Sequence, residues 1–170
     1  MAKVQCHFLL QVVGFVLSFI EYPKGKHPIQ VTDKAFSNYE KYKFPFGVKE
    51  RLEALASFLE QLLVKGDLFN KFGVEKIWLI EITTVHQDYT RRGIANAMTA
   101  KLLTVARDMK LLLVVSESTS KFTQQSKTHH FNFEIVCESV YASDYAHYDA
   151  MPGEMKKTHF SAFLLAKQLD

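Results

Sequence analysis

The chain has little of what marks a secreted, metal-binding or membrane-spanning protein. It holds two cysteines, Cys6 and Cys137, in 170 residues. Two thiols make at most one disulfide, so free thiols in a reducing, cytoplasmic setting are the simpler reading. No Cys-x-x-Cys and no Cys/His spacing of a zinc site occurs. There is no internal repeat and no low-complexity tract. One apolar run, Phe8 to Ile20, follows Lys3 in the manner of a signal peptide, but Gln11, Gly14 and Ser18 interrupt it and no small-x-small cleavage site follows. It is too short to cross a bilayer, so a pair of core strands split near Gln11 is expected there. A dense stripe of Lys and Arg is missing as well. The net charge is only +3, and the basic residues are scattered apart from Lys24 to His27, Arg91–Arg92 and Lys156–Lys157. A nucleic-acid polymer is not the expected partner; a small phosphorylated ligand suits such spacing.

What is present is enough for one domain spanning 1–170. Hydrophobic residues make up 48% of the chain, and 14 residues are Phe, so a core or pocket with aromatic walls is expected. Val12 to Phe19 is rich in β-branched and aromatic residues and reads as a buried strand. Glu21 to Pro45 lacks periodicity and reads as a long loop, with a short helical turn around Ala35 to Tyr39. Val48 to Lys65 reads as a helix, with Leu52, Leu55, Leu59 and Leu62 on one face and Gly66 as its C-terminal cap. Asp67 to Phe72 reads as a short helix between an Asp N-cap and Gly73. Glu75 to Val85 reads as a central strand, Arg92 to Met109 as a helix and Leu111 to Val115 as a second central strand. A short helix over Phe122 to His130 and strands at Phe133 to Val140 and His159 to Leu165 complete the order. This is an α/β chain with a mixed sheet flanked by helices.

The chemistry concentrates between Val85 and Ala95. A strand ends there, a turn with Arg91, Arg92 and Gly93 follows, and a helix begins. The free N–H groups of a first helical turn and the helix dipole attract an anion. Gly93 permits close backbone approach and unusual dihedrals, and Ala95 is small enough for a ligand to lie against the helix. The alternative is a solvated helix start with ordinary arginines. In the strand before it, Glu81 is an acid among apolar residues: either a base whose pKa burial raises, or a structural Glu that pairs with a cross-strand Lys or Arg or points into water. Thr123 and Ser126 are hydroxyls on the short helix, either proton donors or caps. His86 and the His129–His130 pair do not suggest a metal, because adjacent helical residues face different sides and no third ligand is suitably spaced.

Val85, Tyr89, Gly93, Ile94 and Ala95, with Arg92 at an often basic position, resemble the signature of the GNAT superfamily of N-acetyltransferases. Asp67-Leu68-Phe69, Lys71 to Val74 and Tyr141 to Tyr145 look like its invertebrate arylalkylamine (dopamine-type) branch. The resemblance implies the acyl-CoA N-acyltransferase fold, with a mixed sheet that splays between the family's fourth and fifth strands. It implies acetyl-CoA as co-substrate, its pantetheine arm along Thr83, Thr84 and Val85 and its pyrophosphate on Thr90, Arg91, Arg92, Gly93, Ile94 and Ala95. It further implies acetyl transfer to a primary amine, such as a small arylalkylamine, with Glu81 as base and Thr123 or Ser126 as acid. The chain departs from the family pattern at Gln87, Thr90, Arg91 and Asn132, and it opens near what would be the family's second strand. A silent acyl-CoA-binding module and a peptide N-acetyltransferase acting with a partner are the alternatives.

Overall fold

The computed structural model describes residues 12–23 and 48–170. Cys6, the split near Gln11 and the turn around Ala35 to Tyr39 lie outside the described residues. The order of elements is β1 (Gly14–Glu21), α1 (Val48–Gly66), α2 (Leu68–Phe72), β2 (Ile77–Val85), α3 (Ile94–Asp108), β3 (Leu113–Ser118), α4 (Lys121–Gln125) running into a π-helical turn (Ser126–His130), β4 (Glu134–Val140), α5 (Tyr141–Asp144), α6 (Gly153–Thr158) and β5 (Ser161–Gln168). The five strands form one mixed sheet in the order β1-β2-β3-β5-β4. Among the described residues only β2 and β3 run parallel, and α3 is the crossover between them, as parallel neighbours require.

Each face of the sheet buries its own core. Phe58 and Leu62 of α1 and Leu68 of α2 pack on Ile77, Leu79, Leu113, Val115 and Leu164. Leu102, Leu103 and Ala106 of α3 pack on Ile80, Val114 and Leu165 of the opposite face. All six residues of β3 are buried, so this strand is the spine of the domain. The expected central strands are therefore both present, although β3 runs on to Ser118 and takes in Glu117. The expectation of a buried first strand is corrected: β1 is the end strand among the described residues and alternates between exposed and half-buried side chains. Phe15, Leu17 and Phe19 are 52%, 43% and 36% exposed, while Val16 and Ile20 pack against the α3-side core.

Two expected caps act differently. Gly66 remains in the helix and is buried. A Cβ there would come within 2.2 Å of Leu164 Cδ2, so this glycine lets α1 approach β5. The left-handed residue that follows is Asp67, at φ 41°. Its side chain makes no cap bond to the backbone and instead accepts from Asn70 Nδ2 at 2.8 and 3.1 Å. Gly73, at φ 63°, does end α2 as expected.

Gly66→Ala should lower stability by about 1–3 kcal/mol, because Leu164 is fully buried and has nowhere to move. That corresponds to roughly 2–4 °C in Tm per kcal/mol for a chain of this size. A thermal melt of the variant showing no loss would mean that α1 and β5 are not this close.

Candidate active site

The site begins where two strands part. β2 and β3 pair through Trp78↔Val114, Leu79↔Val115 and Ile80↔Ser116 and no further. β2 nevertheless runs on to Val85 and β3 to Ser118. The β3-facing edge of Thr83, Thr84 and Val85 is thus without strand partners among the described residues, while their other edge pairs with Val16, Phe15 and Gly14. At the point of divergence β2 carries a bulge: Leu17 pairs with Ile82 and Ser18 with Ile80, leaving Glu81 as the extra residue. A bulge bends the strand and re-aims its groups.

The loop after β2 is built by local hydrogen bonds. His86 N donates to Val13 O at 2.7 Å. His86 Nδ1 then caps the 3-10 turn Gln87–Tyr89 by accepting from Asp88 N at 3.3 Å. Thr90 Oγ1 donates to Gln87 O at 2.9 Å, which ties the end of the turn to its start. Arg92 donates to Asp88 O at 2.9 Å and lies 5.0 Å from the Tyr89 ring centroid. Arg91 and Gly93 both take left-handed dihedrals, at φ 59° and 76°. A Cβ at Gly93 would meet nothing within 4 Å, so the space above the start of α3 is open. No side chain caps that helix. Its first N–H groups and the two arginines make a donor set that fits a pyrophosphate.

A groove of about 490 Å³ runs from there between α3 and α4, lined by Asn96, Phe122, Gln125, Ser126, His129 and His130. Ser126 is in it, donating to Asn96 Oδ1 at 2.7 Å. Thr123 is not among its lining residues; its N–H and hydroxyl bond to Ser120 Oγ at 3.2 and 3.1 Å, forming the N-cap of α4. No group of three or more metal-ligating side chains occurs among the described residues, and no described helix is long and apolar enough to cross a membrane.

On the α1 face of the divergence stand two carboxylates. Glu81, at the bulge, is exposed, and burial together with the Glu21 charge raises its pKa. Glu117, the next residue after the last paired position of β3, is 9% exposed. Its Oε1 has no hydrogen-bond partner among the described residues. Burial, then the charges of Glu81 and Glu21, push it up to about 7. Glu117 escapes the sequence reading because the strand is expected to stop at Val115. The signal available is the alternation Ser116-Glu117-Ser118 continuing the β3 register. Tyr141 Oη, donating to Thr119 O at 2.6 Å, fixes the end of β3.

No known family model matches the sequence, and no curated protein sequence is significantly similar to it. Solved structures are similar in fold. Arylalkylamine N-acetyltransferase 2 of Aedes aegypti superposes with a TM-score of 0.69 at 19% identity, covering 93% of this chain and 68% of that one. Polyamine N-acetyltransferase of Drosophila melanogaster gives 0.61 at 15% identity, covering 92% and 69%. A provisionally named arylalkylamine N-acetyltransferase 7 of the yellow fever mosquito also gives 0.69, at 16% identity; this chain is covered to 94% and spans 60% of that protein's length. The chain has the mixed, splayed sheet of the acyl-CoA N-acyltransferase fold, as its GNAT-like motif implies.

Because burial raises the Glu117 pKa in the folded chain, the contribution of this group to stability should be fully present below pH 4.5, the ordinary value, and be lost as pH rises through about 7. Glu117→Gln should remove that slope and melt higher than wild type above neutral pH. Parallel Tm–pH curves for the two proteins would show that Glu117 ionises as an ordinary carboxylate.

Proposed function

We propose that the chain is an acetyl-CoA-dependent N-acetyltransferase acting on a primary amine. The observation that carries this reading is the parting of β2 from β3 beyond Ile80 and Ser116, with a loop suited to an anion at one side and, at the other, a buried carboxylate whose Oε1 has no hydrogen-bond partner among the described residues. Thr83 to Val85 offer free backbone to a pantetheine arm, and Thr90 to Ala95 offer donors to its pyrophosphate. Acetyl-CoA, when bound, supplies an activated acyl carbon; the chain's residues supply position and proton transfer.

Glu117 is the general base in this reading. An amine must lose a proton to attack, and a carboxylate poised near neutrality is well matched to take it. Glu81 supports it by its charge, which helps hold Glu117 in the useful range. Ser126, set in the groove, is better placed toward the donor than Thr123, whose hydroxyl is engaged in the α4 cap. A small arylalkylamine is supported as acceptor by the surface beside the two carboxylates. Phe15, Leu17 and Phe19 of β1 and Ile82, which pairs with Leu17, are exposed there. An apolar body on that wall would bring its amine toward Glu117. The similar structures bear the names arylalkylamine and polyamine N-acetyltransferase, which supports an amine acceptor.

Acetyl-CoA should raise the melting midpoint as its concentration rises, and amines of the aryl and alkyl series should then release thiol. Gly93→Val should abolish the shift, because it forces a β-branched residue into a left-handed dihedral. Glu117→Gln should keep the shift and lose about 10²–10⁴ in kcat. A shift without thiol release for any amine would identify a silent acyl-CoA-binding module, and no shift would remove the assignment.

A further inference from the structure

Lys127 has no place in the reaction as described so far. It lies in the π-helical turn after α4, a helix type that recurs at functional sites, and is only 2% exposed. It makes no ion pair with a carboxylate among the described residues. Its Nζ donates to Ser116 Oγ at 2.5 Å and lies 5.7 Å from the Phe133 ring centroid. Ser116 Oγ is in turn 3.3 Å from Ser118 Oγ. Both serines are buried and lie on the α3 face of β3, on the register of Val114. Ser118 stands two positions beyond the last β2–β3 pair, where the sheet is open. Gln124 Nε2 holds that end of the strand by donating to Ser118 O at 2.9 Å and to Ser161 O at 2.7 Å. A buried lysine facing one hydroxyl and a ring is a costly arrangement, and the chain of contacts from it through Ser116 to Ser118 leads from the core to the divergence of the strands.

Resting on the acetyl-transfer reading, we infer that Lys127, Ser116 and Ser118 form a proton relay that supplies the thiol leaving group from the face of the sheet opposite Glu117. Attacking and leaving groups occupy different corners of a tetrahedral carbon, so base and acid have to approach from different directions. Here β3 presents Glu117 on its α1 face and the serines on its α3 face. Glu117 takes the amine proton as the C–N bond forms. As the C–S bond breaks and the sulfur keeps its electron pair, Ser118 gives its hydroxyl proton to the sulfur. Ser118 is refilled from Ser116, and Ser116 from the Lys127 ammonium. Lys127 ends as a neutral amine and Glu117 as an acid; one proton lost to water by Glu117 and one gained from water by Lys127 restore both. Ser118 alone would touch the reacting atoms, and Ser116 and Lys127 act through it.

The protonation of Lys127 suits this use. Burial lowers its pKa from 10.5 to about 7, so an ammonium and an amine are both accessible near neutrality. The groups brought against Nζ are the Ser116 hydroxyl and the Phe133 ring. Glu117 sits on the other side of the strand, and His129 and His130 of the same turn are exposed.

Two readouts test the relay. The first is nuclear magnetic resonance titration of isotope-labelled lysine in the whole chain, without ligand, with coenzyme A and with desulfo-coenzyme A. Coenzyme A should raise the Lys127 midpoint by about one unit or more, as a thiolate–ammonium couple forms through the serines. Desulfo-coenzyme A should leave it in place, and Ser118→Ala should abolish the effect. The second is the pH profile of kcat with acetyl-CoA and an amine substrate. Wild type should lose rate above neutral pH as Lys127 deprotonates. Lys127→Met and Ser118→Ala should each lower kcat about 10²-fold and flatten that alkaline limb, while acetyl-CoA still raises their melting midpoints. Wild-type rates and profiles in both folded variants, with a Lys127 midpoint indifferent to the thiol, would overturn the relay and leave the enzyme reading intact. A wild-type chain that does not respond to acetyl-CoA overturns both.

Discussion

The site depends on a pairing that stops. β2 and β3 share three residue pairs and then separate, and the side chains at that point supply a reason. The next pair in the same register would set Glu81 beside Glu117. Like charges on neighbouring strand positions destabilise a ladder, and a half-buried carboxylate pair in an apolar sheet would cost more. The bulge at Glu81 takes one of the two out of register. Parting the strands also leaves the backbone of Thr83 to Val85 open on one edge. Such an edge within a sheet is a recognition element for an extended ligand able to accept and donate hydrogen bonds.

Divergence in one sheet has different consequences on its two faces. On the α1 face it sets an exposed Glu81 and a buried Glu117 on the side that carries the apolar Phe15, Leu17 and Phe19. On the α3 face it opens toward the groove between α3 and α4, whose near end is the uncapped start of α3. In the proposed reading, the loop at the start of α3, the strand edge of Thr83 to Val85 and the groove would together take a long, phosphorylated, amide-bearing molecule. In the proposed reading, the acidic, apolar side would take an amine with a hydrocarbon body. The α1 and α3 cores hold the two halves apart, because β3 is buried along its full length and cannot shift toward either.

Much of this was legible from the chain, for physical reasons that differ from segment to segment. The loop from Val85 to Ala95 could be read because a strand end, a left-handed glycine and a helix start follow one another within a few residues, and each has a local signature. The two central strands could be read because both are apolar on both faces; that they pair in parallel is a tertiary fact with no local signal. Glu117 could not, because an acid after an apolar run looks like a strand's end, and only pairing with β5 through Glu117↔Leu164 and Ser118↔Phe163 carries the strand onward. Gly66 looked like a cap because it ends an amphipathic run; its close approach to Leu164 is a tertiary contact with no local signal. Thr123 and Ser126 look alike in sequence, and only the position of Ser120 on one side and Asn96 on the other separates a cap from a groove residue.

Strand parity gives the last step. Glu117 and Lys127 are oppositely charged residue types, each buried and each driven toward neutrality by burial. Placed together they would form an ion pair, and each would recover its charge. They do not meet, because Lys127 reaches Ser116, one residue before Glu117, and successive residues of a strand point to opposite faces. A fold selected for stability alone would pair them or replace both with apolar side chains. Keeping a weak acid and a weak base on opposite faces of one strand, at the point where the sheet opens, costs stability. It is the arrangement that a reaction needing a proton removed on one side and delivered on the other can use.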